Sequence, residues 1–202
     1  MKNYFVTGIG TNIGKTIVSA ILTEALETDY WKPIQAGDLD FSDSLKVESL
    51  ISNTKTKIHP EAYRLNQPMS PHAAAKLDNI TIDLEKIELP KTTNNLIIEG
   101  AGGLMVPLNN KDLIIDLIKK LDVEVILVSQ NYLGSINHTL LSLEILKSNH
   151  LNILGIIFNG KPNLETEHYI LNYSGVKCLG RIDEHEQLTK EVVLSYKNKF
   201  SF

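Results

Sequence analysis

Residues 4–16, YFVTGIGTNIGKT, place a short apolar strand directly before a glycine-rich turn and a Gly-Lys-Thr sequence. Apolar residues then recur at helical spacing from Ile17 to Leu26, which predicts a helix with a broad apolar face for packing on a sheet. The backbone N–H groups of such a turn converge on an anion, and the helix dipole adds a favourable potential. This stretch is typical of a phosphate-binding loop, in which Lys15 reaches the outer phosphates of a nucleotide and the Thr16 hydroxyl ligates Mg²⁺.

The loop departs from the common pattern G-x-x-x-x-G-K-[ST], because Ile9 occupies the first glycine position and lies between Gly8 and Gly10. An ordinary strand–turn–helix junction with an incidental Gly-Lys-Thr is the alternative. The strand and the helix stand where phosphate binding needs them, so we expect the loop to bind a nucleotide. The residues expected to contact the nucleotide here are Asn12, Ile13, Gly14, Lys15, Thr16 and Ile17.

Segments with strand character alternate with segments of helical periodicity along the rest of the chain. The predicted strands are 4–6, 30–35, 96–98, 123–128, 153–158 and 176–179, and Pro33 interrupts the second. The predicted helices are 17–26, 43–51, 72–76, 81–89, 112–121, 135–147, 165–173 and 187–196. The alternation predicts an α/β fold with a doubly wound, mostly parallel sheet, arranged as a single P-loop NTPase-like domain over residues 1–202.

Charge and cysteine content narrow the possible partners and location. A net charge of −4 over 202 residues provides no general attraction to nucleic acid or to an anionic membrane. Cys178 is the only cysteine, which excludes a disulfide within the chain and fits a reducing cytosol. We expect its thiol to be buried and structural. The N-terminus lacks a secretory signal and no apolar run reaches the length of a membrane span, so we expect a cytoplasmic protein.

Polar residues follow the predicted strands at the edge where ligands bind in open α/β sheets. Glu99 comes directly after Leu-Ile-Ile, and a carboxylate buried there needs a cation or several donors. With Thr16 and Asp43, Glu99 is predicted to complete an oxygen-rich Mg²⁺ site. Glu99 could instead cap the turn predicted at 100–103 or pair with a lysine, and Asp43 could be an ordinary helix N-cap.

Lys32, two histidines and the start of a predicted helix are further candidate positions in the sequence. Lys32 lies near the end of the second predicted strand, where it would face the phosphate loop. We therefore expect Lys32 to contact a phosphate or a transition state rather than to be solvated. His72 and His138 have no second ligand at metal spacing, so we expect both to be structural. Residues 134–137 open a helix whose free N–H groups could hold a carboxylate, although N-capping by Ser135 explains the same sequence.

Six segments, taken in order along nearly the whole chain, resemble the dethiobiotin synthetase family. They are TGIGTNIGKT (7–16), KPIQAG (32–37), SPHAAA (70–75), EGAGG (99–103), LGSINH (133–138) and Asn-Gly at 159–160. A phosphate loop alone is shared by many unrelated proteins, whereas the ordered set is far more specific. The resemblance implies an ATP-dependent enzyme of biotin synthesis. Such an enzyme carboxylates 7,8-diaminononanoate with CO₂, phosphorylates the resulting carbamate and closes the ureido ring, releasing ADP and phosphate.

The resemblance also implies a role for each matching residue. Lys15 and Lys32 would be catalytic, and Thr16, Asp43 and Glu99 would hold Mg²⁺ as the cofactor. The expected nucleotide contacts beyond the phosphate loop are Asp43, Glu99, Gly100, Ala101, Gly102, Asn159, Gly160, Asp183, Glu184 and His185. The expected substrate contacts are Thr11, Lys32, Ala36, Gly134, Ser135, Ile136 and Asn137, the last four from the partner subunit of a homodimer with its active site at the interface.

Three departures from the family pattern lie near these positions. Asn12 stands where the family usually has an acidic residue, and Ala36 replaces a usual hydroxyl residue near the substrate amines. The last strand leads into Arg181-Ile182-Asp183, where the family often has Ile-Pro. These departures concern contacts to the phosphate, the amines and the base rather than the chemistry of the reaction.

Two other protein classes share parts of this pattern. Nucleotide-driven positioning switches of the chromosome-partition type carry an extra lysine at the front of the phosphate loop, where this chain has Gly10, and no basic or membrane-seeking helix is expected at its end. ATP-dependent amidases of cobalamin synthesis resemble the chain in their N-terminal domain. They need a further glutamine-hydrolysing domain with a reactive cysteine, which we do not expect in a chain of 202 residues.

Overall fold

Seven parallel strands form the central sheet, and the computed structural model describes all 202 residues. The nine strands of the chain are β1 Asn3–Gly8, β2 Asp29–Trp31, β3 Ile34–Ala36, β4 Ile58–His59, β5 Tyr63–Leu65, β6 Leu96–Gly103, β7 Glu124–Gln130, β8 Ile153–Asn159 and β9 Cys178–Ile182. The order across the central sheet is β4-β2-β6-β1-β7-β8-β9, and β3 pairs with β5 in a separate two-stranded sheet. All these pairings are parallel.

Seven helices surround the central sheet. They are α1 Lys15–Leu26, α2 Asp43–Leu50, α3 Pro71–Leu77, α4 Ile114–Leu121, α5 Ser135–Ser148, α6 Leu164–Ser174 and α7 Lys190–Ser195. One core cluster combines sheet residues with apolar side chains of α1, α2 and α7, and another combines the opposite sheet face with α3, α4 and α5. Both faces of the sheet are therefore covered, which confirms the predicted doubly wound fold. None of these helices has the length and apolar character needed to cross a bilayer.

The position of β1 determines where the cleft forms. β1 lies between β6 and β7: β2, β4 and β6, which follow β1 in the sequence, all lie on one side of it, and the later strands β7, β8 and β9 lie on the other. Ligand sites in open α/β sheets lie beyond the carboxyl ends of the strands at such a point. The phosphate loop follows β1 directly, and Glu99 lies within β6, its neighbour.

Several predicted boundaries were wrong. The expected turn at 100–103 is part of β6, because Gly103 pairs with Gly8 of β1 after a register shift. The expected helix at 81–89 is only a 3-10 turn at Leu84–Lys86, because the Asp83 side chain accepts a hydrogen bond from the Glu85 N–H and favours a tight local turn. The predicted strand at 30–35 is two strands in different sheets, separated at Pro33, which cannot donate a ladder hydrogen bond.

The last strand and two short strands also differ from the sequence-based expectation. β9 begins at Cys178 and continues to Ile182, so Arg181 is a strand residue rather than part of a following loop. The Cys178 thiol is half-buried rather than buried as predicted, because it lies at the start of the edge strand β9, and partial burial raises its pKa. β4 and β5 have only two and three residues, too few for an alternating pattern to appear in the sequence.

A buried carboxylate on α1 fixes the chain after α2. Glu24 is 2% exposed and accepts hydrogen bonds from the backbone and side chain of both Ser52 and Asn53, at 2.8 to 3.0 Å. Burial alone would raise its pKa, but the four donors outweigh burial and the pKa is lowered. The ionised form is therefore the one that stabilises this junction.

Glu24→Gln is expected to lower the free energy of unfolding by about 1–3 kcal/mol, because the neutral amide cannot accept all four hydrogen bonds. A lowered folded-state pKa stabilises the protein above the ordinary glutamate pKa, and that stability is lost as pH falls through the folded value. In urea unfolding measured from pH 7 downward, the free energy of unfolding should therefore fall more steeply for wild type than for Glu24→Gln below about pH 4.3. Glu48→Gln, an exposed change on α2, is the control and should unfold as wild type does. Equal free energies of unfolding for the two variants would contradict the role assigned to Glu24.

Candidate functional site

A cleft of about 980 Å³ opens at the carboxyl ends of β1, β2 and β6. Most of the predicted site residues line this cleft. These are Thr11, Asn12, Gly14, Lys15, Thr16, Ile17, Lys32, Ala36, Asp43, Glu99, Ala101 and Gly102. Residues distant in the sequence thus meet in one place, as the strand-end argument predicts.

The phosphate loop has the backbone geometry of an anion cradle. Asn12 and Gly14 both have left-handed conformations, with φ of 59° and 90°. A Cβ at Gly14 would collide with the amide of Asn159, so only glycine fits there. Gly14 precedes α1 without any side-chain cap, and the first N–H groups of the helix are thereby left available to an anion.

Lys15 is folded back onto its own loop. Its ammonium group donates to the Gly10 carbonyl at 2.9 Å, and the residue is only 7% exposed. Burial, together with the nearby charge of Lys32, lowers the pKa of Lys15 to about 8 against the opposing influence of Glu99. A buried cation beside free N–H groups is suited to an incoming polyphosphate.

Lys32 lies between the two carboxylates expected to hold a metal. Its Nζ is 2.8 Å from Asp43 Oδ2 and 2.9 Å from Glu99 Oε1, and it also donates to the Gly100 carbonyl at 3.2 Å. Lys32 and Glu99 are 4% and 1% exposed. Removing either partner of such a buried pair leaves an unpaired buried charge, which typically lowers the free energy of unfolding by about 3–5 kcal/mol.

The charges of this cluster reinforce one another. Burial would lower the pKa of Lys32, but Glu99 and Asp43 outweigh it and raise the pKa. Burial would raise the pKa of Asp43, but the ammonium of Lys32 outweighs it and lowers the pKa. The lysine therefore stays protonated and the aspartate ionised near neutral pH.

The oxygen atoms around Lys32 fit a magnesium ion. The Thr16 hydroxyl donates to Glu99 Oε1 at 2.9 Å, so hydroxyl and carboxylate oxygens of Thr16, Asp43 and Glu99 converge on a position next to the phosphate loop. Mg²⁺ is commonly held by one or two carboxylates together with substrate phosphates and water. The ammonium group of Lys32 already shows that these oxygens accept a cation.

Two polar residues that the sequence analysis missed support this cluster. The Tyr30 hydroxyl donates to Glu99 Oε2 at 2.8 Å from a fully buried position. Gln35 is also buried, and its Oε1 accepts from the backbone N–H of Asp43 at 3.2 Å. Tyr30 could have been found from the strand pattern, because alternate residues of a strand share a face and Tyr30 precedes Lys32 by two.

The cleft is also lined by residues to which the sequence assigned no role. Leu188 lies at its wall, whereas the expected base contacts Asp183, Glu184 and His185 do not line it. Other lining residues that sequence reasoning missed are Gln35, Asp38, Phe41, Lys46, Met69, Ser70 and Val106. No sequence signal marks most of them, because the loop paths that bring them to the cleft depend on tertiary packing.

Asn159 and Gly160 lie beside the phosphate loop rather than in the wall of the cleft. Asn159 Nδ2 donates to the Ile13 carbonyl at 2.9 Å, and the Gly160 N–H donates to the Ile182 carbonyl at 2.9 Å. Arg181, at the departure from the family pattern, donates to the Gly160 carbonyl at 2.6 Å and pairs with Glu167. The end of β8 is thus fixed against both the phosphate loop and β9.

The start of α5 lies apart from the cleft. Gly134, Ser135, Ile136 and Asn137 do not line it. The N-cap is Gly134 with φ of 99°, and no side chain caps the helix, so the alternative of N-capping by Ser135 is wrong. Leu133, directly before this helix start, is fully exposed.

His72 and His138 are both exposed, and neither belongs to a group of side chains that could ligate a metal ion. His72 Nδ1 lies 3.1 Å from the Ser70 hydroxyl, and His138 Nδ1 lies 2.7 Å from the Tyr132 hydroxyl. No group of three or more histidine, cysteine, aspartate or glutamate side chains is arranged to bind a metal ion. A magnesium site built with nucleotide phosphates does not require such a group.

Comparison with solved structures identifies proteins of similar fold. The cell division ATPase MinD of Pyrococcus furiosus superimposes with a TM-score of 0.64 over 98% of both chains, at 16% sequence identity. The sequence identity is low, so this likeness concerns the fold alone.

Comparison of sequences is more specific. Residues 2–192 match a family model described as an AAA domain. The ATP-dependent dethiobiotin synthetase BioD of Christiangramia forsetii is 56% identical over 199 residues, covering 98% of this chain and 96% of the relative. The enzyme of the same name from Cytophaga hutchinsonii is 54% identical, covering 98% and 97%. More than half of the residues are thus shared over almost the full length of both proteins, and the chain belongs to the dethiobiotin synthetase family.

Proposed function

We infer that this protein is an ATP-dependent enzyme that forms dethiobiotin, the activity for which its relatives are named. The observation that carries the inference is the 56% identity to such a relative over 98% of this chain. The geometry of the cleft supports it, because a phosphate loop, two buried lysines and two carboxylates meet at one edge of the sheet.

The proposed reaction begins with 7,8-diaminononanoate, one amine of which takes up CO₂ as a carbamate. The γ-phosphoryl group of ATP then passes to a carbamate oxygen, giving a mixed anhydride and ADP. The second amine attacks the carbonyl carbon, closes the ureido ring and expels phosphate. No protein nucleophile is needed, since phosphoryl transfer depends mainly on positioning and countercharge.

The two lysines supply that countercharge. Lys15, at the head of α1, is placed to contact the outer phosphates together with the free N–H groups of the loop. Lys32, at the end of β2, would stabilise the charge that develops on the transferring group. Positive charge on buried lysines acts more strongly than on lysines at an exposed surface.

Thr16, Asp43 and Glu99 would hold Mg²⁺, as the convergence of their oxygens around Lys32 indicates. When bound, the ion neutralises phosphate charge and orients the nucleotide for transfer. Lys32 contacts both carboxylates, and its ammonium group would supply countercharge to the carbamate bound beside them.

Substrate and base contacts extend this proposal to the remaining expected residues. Thr11 and Ala36 line the cleft on the side proposed for the diamine. Ala36 offers no hydroxyl there, so the amines would be held by other groups, including Lys32 through the carbamate. Asn159 and Gly160 are proposed to contact adenine, with Gly100, Ala101 and Gly102 near the phosphates. Asp183, Glu184 and His185 are proposed to close the base pocket next to Leu188.

A homodimer completes the proposed site. The helix start at Gly134, Ser135, Ile136 and Asn137 has uncapped N–H groups but lies outside the cleft of its own chain. Such a helix start suits a carboxylate, and the substrate tail of a second copy is the proposed ligand. The exposed apolar side chains of Leu133, Leu141 and Tyr132 near this helix start support a contact between subunits.

The direct test of the activity is mass spectrometry of the reaction with diaminononanoate, bicarbonate and Mg-ATP. We expect a product whose mass corresponds to the cyclic urea, formed together with ADP and phosphate. ATP hydrolysis that depends on DNA or lipid, with no cyclic product, would point instead to a positioning switch of the partition type.

Lys15→Ala is expected to abolish turnover, because the phosphates lose their principal side-chain cation. Lys32→Ala should lower kcat by about 10²–10³-fold while changing nucleotide affinity far less, because its role is in the transition state. Steady-state kinetics and calorimetric titration of ADP separate the two effects. Lys76→Ala, an exposed change on α3, is the control. Wild-type product formation by either active-site variant would refute its role.

Leu133→Asp is expected to convert the dimer to monomers, because it places a charge at the centre of the proposed contact between subunits. Sedimentation velocity measures the change directly. The monomer should lose affinity for diaminononanoate but keep its affinity for Mg-ADP. Leu194→Asp, at another exposed leucine on α7, should leave both properties unchanged. A wild-type protein that sediments as a monomer would rule out the interface site.

A further inference from the structure

The carboxylate of Glu99 has two oxygens in different environments. Oε1 faces the cleft, where it accepts from the Thr16 hydroxyl and the Lys32 ammonium, both at 2.9 Å. Oε2 faces the core and accepts its one hydrogen bond within the protein from the Tyr30 hydroxyl, at 2.8 Å. The groups on Oε1 are those that a metal and a nucleotide would rearrange, whereas Tyr30 would be undisturbed by either.

The register of the sheet explains why a tyrosine reaches this oxygen. Tyr30 of β2 lies directly opposite Ile97 of β6, so Glu99 is two residues further along, a rise of about 6.6 Å. A tyrosine side chain directed along the strand spans this distance with its hydroxyl. The ring packs in the core cluster with Val18, Val47 and Ile97, which leaves the hydroxyl little freedom to move.

The Tyr30 hydroxyl is the donor of this hydrogen bond, because a phenol carries the proton and a carboxylate can only accept it. Donors on the outer oxygen of a metal-binding carboxylate orient it and increase metal affinity.

We propose that Tyr30 is a positioning residue for the metal site, holding the Glu99 carboxylate from the core side in the orientation that receives Mg²⁺ with the nucleotide. This role rests on the proposed metal–nucleotide function and adds to it a residue that does not touch the ligand. Tyr30 donates one hydrogen bond whichever cation occupies the other oxygen. Glu99 would thereby keep one orientation with either Lys32 or a metal at Oε1.

The test is the effect of Mg²⁺ on nucleotide binding by the whole protein, measured by titration calorimetry of ADP in excess Mg²⁺ and in EDTA. Tyr30→Phe preserves the ring and removes only the donor. We expect the variant to bind ADP in EDTA as wild type does. The increase in ADP affinity that Mg²⁺ produces should be about tenfold smaller than in wild type. Tyr4→Phe, which removes a hydroxyl from a buried tyrosine near the start of β1, should keep the full gain.

The carboxylate provides a second arm of the experiment. In Glu99→Gln the metal-dependent gain should be largely lost, and adding Tyr30→Phe to it should change the gain no further. If Tyr30→Phe alone does not fold, the double variant should fold, because the carboxylate left unpaired is then absent. If Glu99→Gln folds and the double variant does not, the proposal is overturned, because the Tyr30 hydroxyl would then be needed even where the carboxylate is absent.

The outcomes separate this proposal from the function on which it rests. A wild-type protein whose ADP affinity does not depend on Mg²⁺ overturns the metal assignment itself, and the role of Tyr30 with it. A wild-type protein that gains affinity from Mg²⁺, with an equal gain in Tyr30→Phe, overturns only the role of Tyr30. If Tyr30→Phe lost the same ADP affinity with and without Mg²⁺, the role of Tyr30 would be overturned in the same way, because its effect would not depend on the metal.

Discussion

A buried carboxylate in need of positive charge is the constraint on which the cleft depends. Glu99 is almost completely withdrawn from solvent, and an ionised side chain in that position is stable only with cations and donors around it. Thr16, Tyr30 and Lys32 each supply one, from three different segments of the chain. The cleft edge of the sheet is therefore held together by the same charges that would bind a metal and a nucleotide.

The parallel sheet makes this convergence possible. Because β2, β6 and β1 run in one direction, their carboxyl ends present Lys32, Glu99 and the phosphate loop at a common edge. Core clusters on both faces of the sheet fix the strands that carry these groups. The charged cluster contributes little net stability of its own, since desolvation offsets most of the attraction in a buried ion pair.

Much of this site could be read from the sequence. The phosphate loop, Lys32 and Glu99 were identified from their places after apolar strands, and the structure brings them into one cleft. Tyr30 was not identified, although its alternation with Lys32 on one strand was visible. Leu188 and Phe41 could not have been identified, because they belong to connections whose paths are set by packing rather than by a periodic pattern.

The sequence by itself determined the alternation of the longer strands and helices, the phosphate loop and the family, because these follow from local periodicity and from residues adjacent in the chain. It did not determine that β2 and β3 enter different sheets, that β6 extends through Gly103, or which donor contacts each oxygen of Glu99. Those features depend on strand register and on contacts across 67 to 83 positions of sequence. Only the folded sheet brings such distant groups to hydrogen-bonding distance.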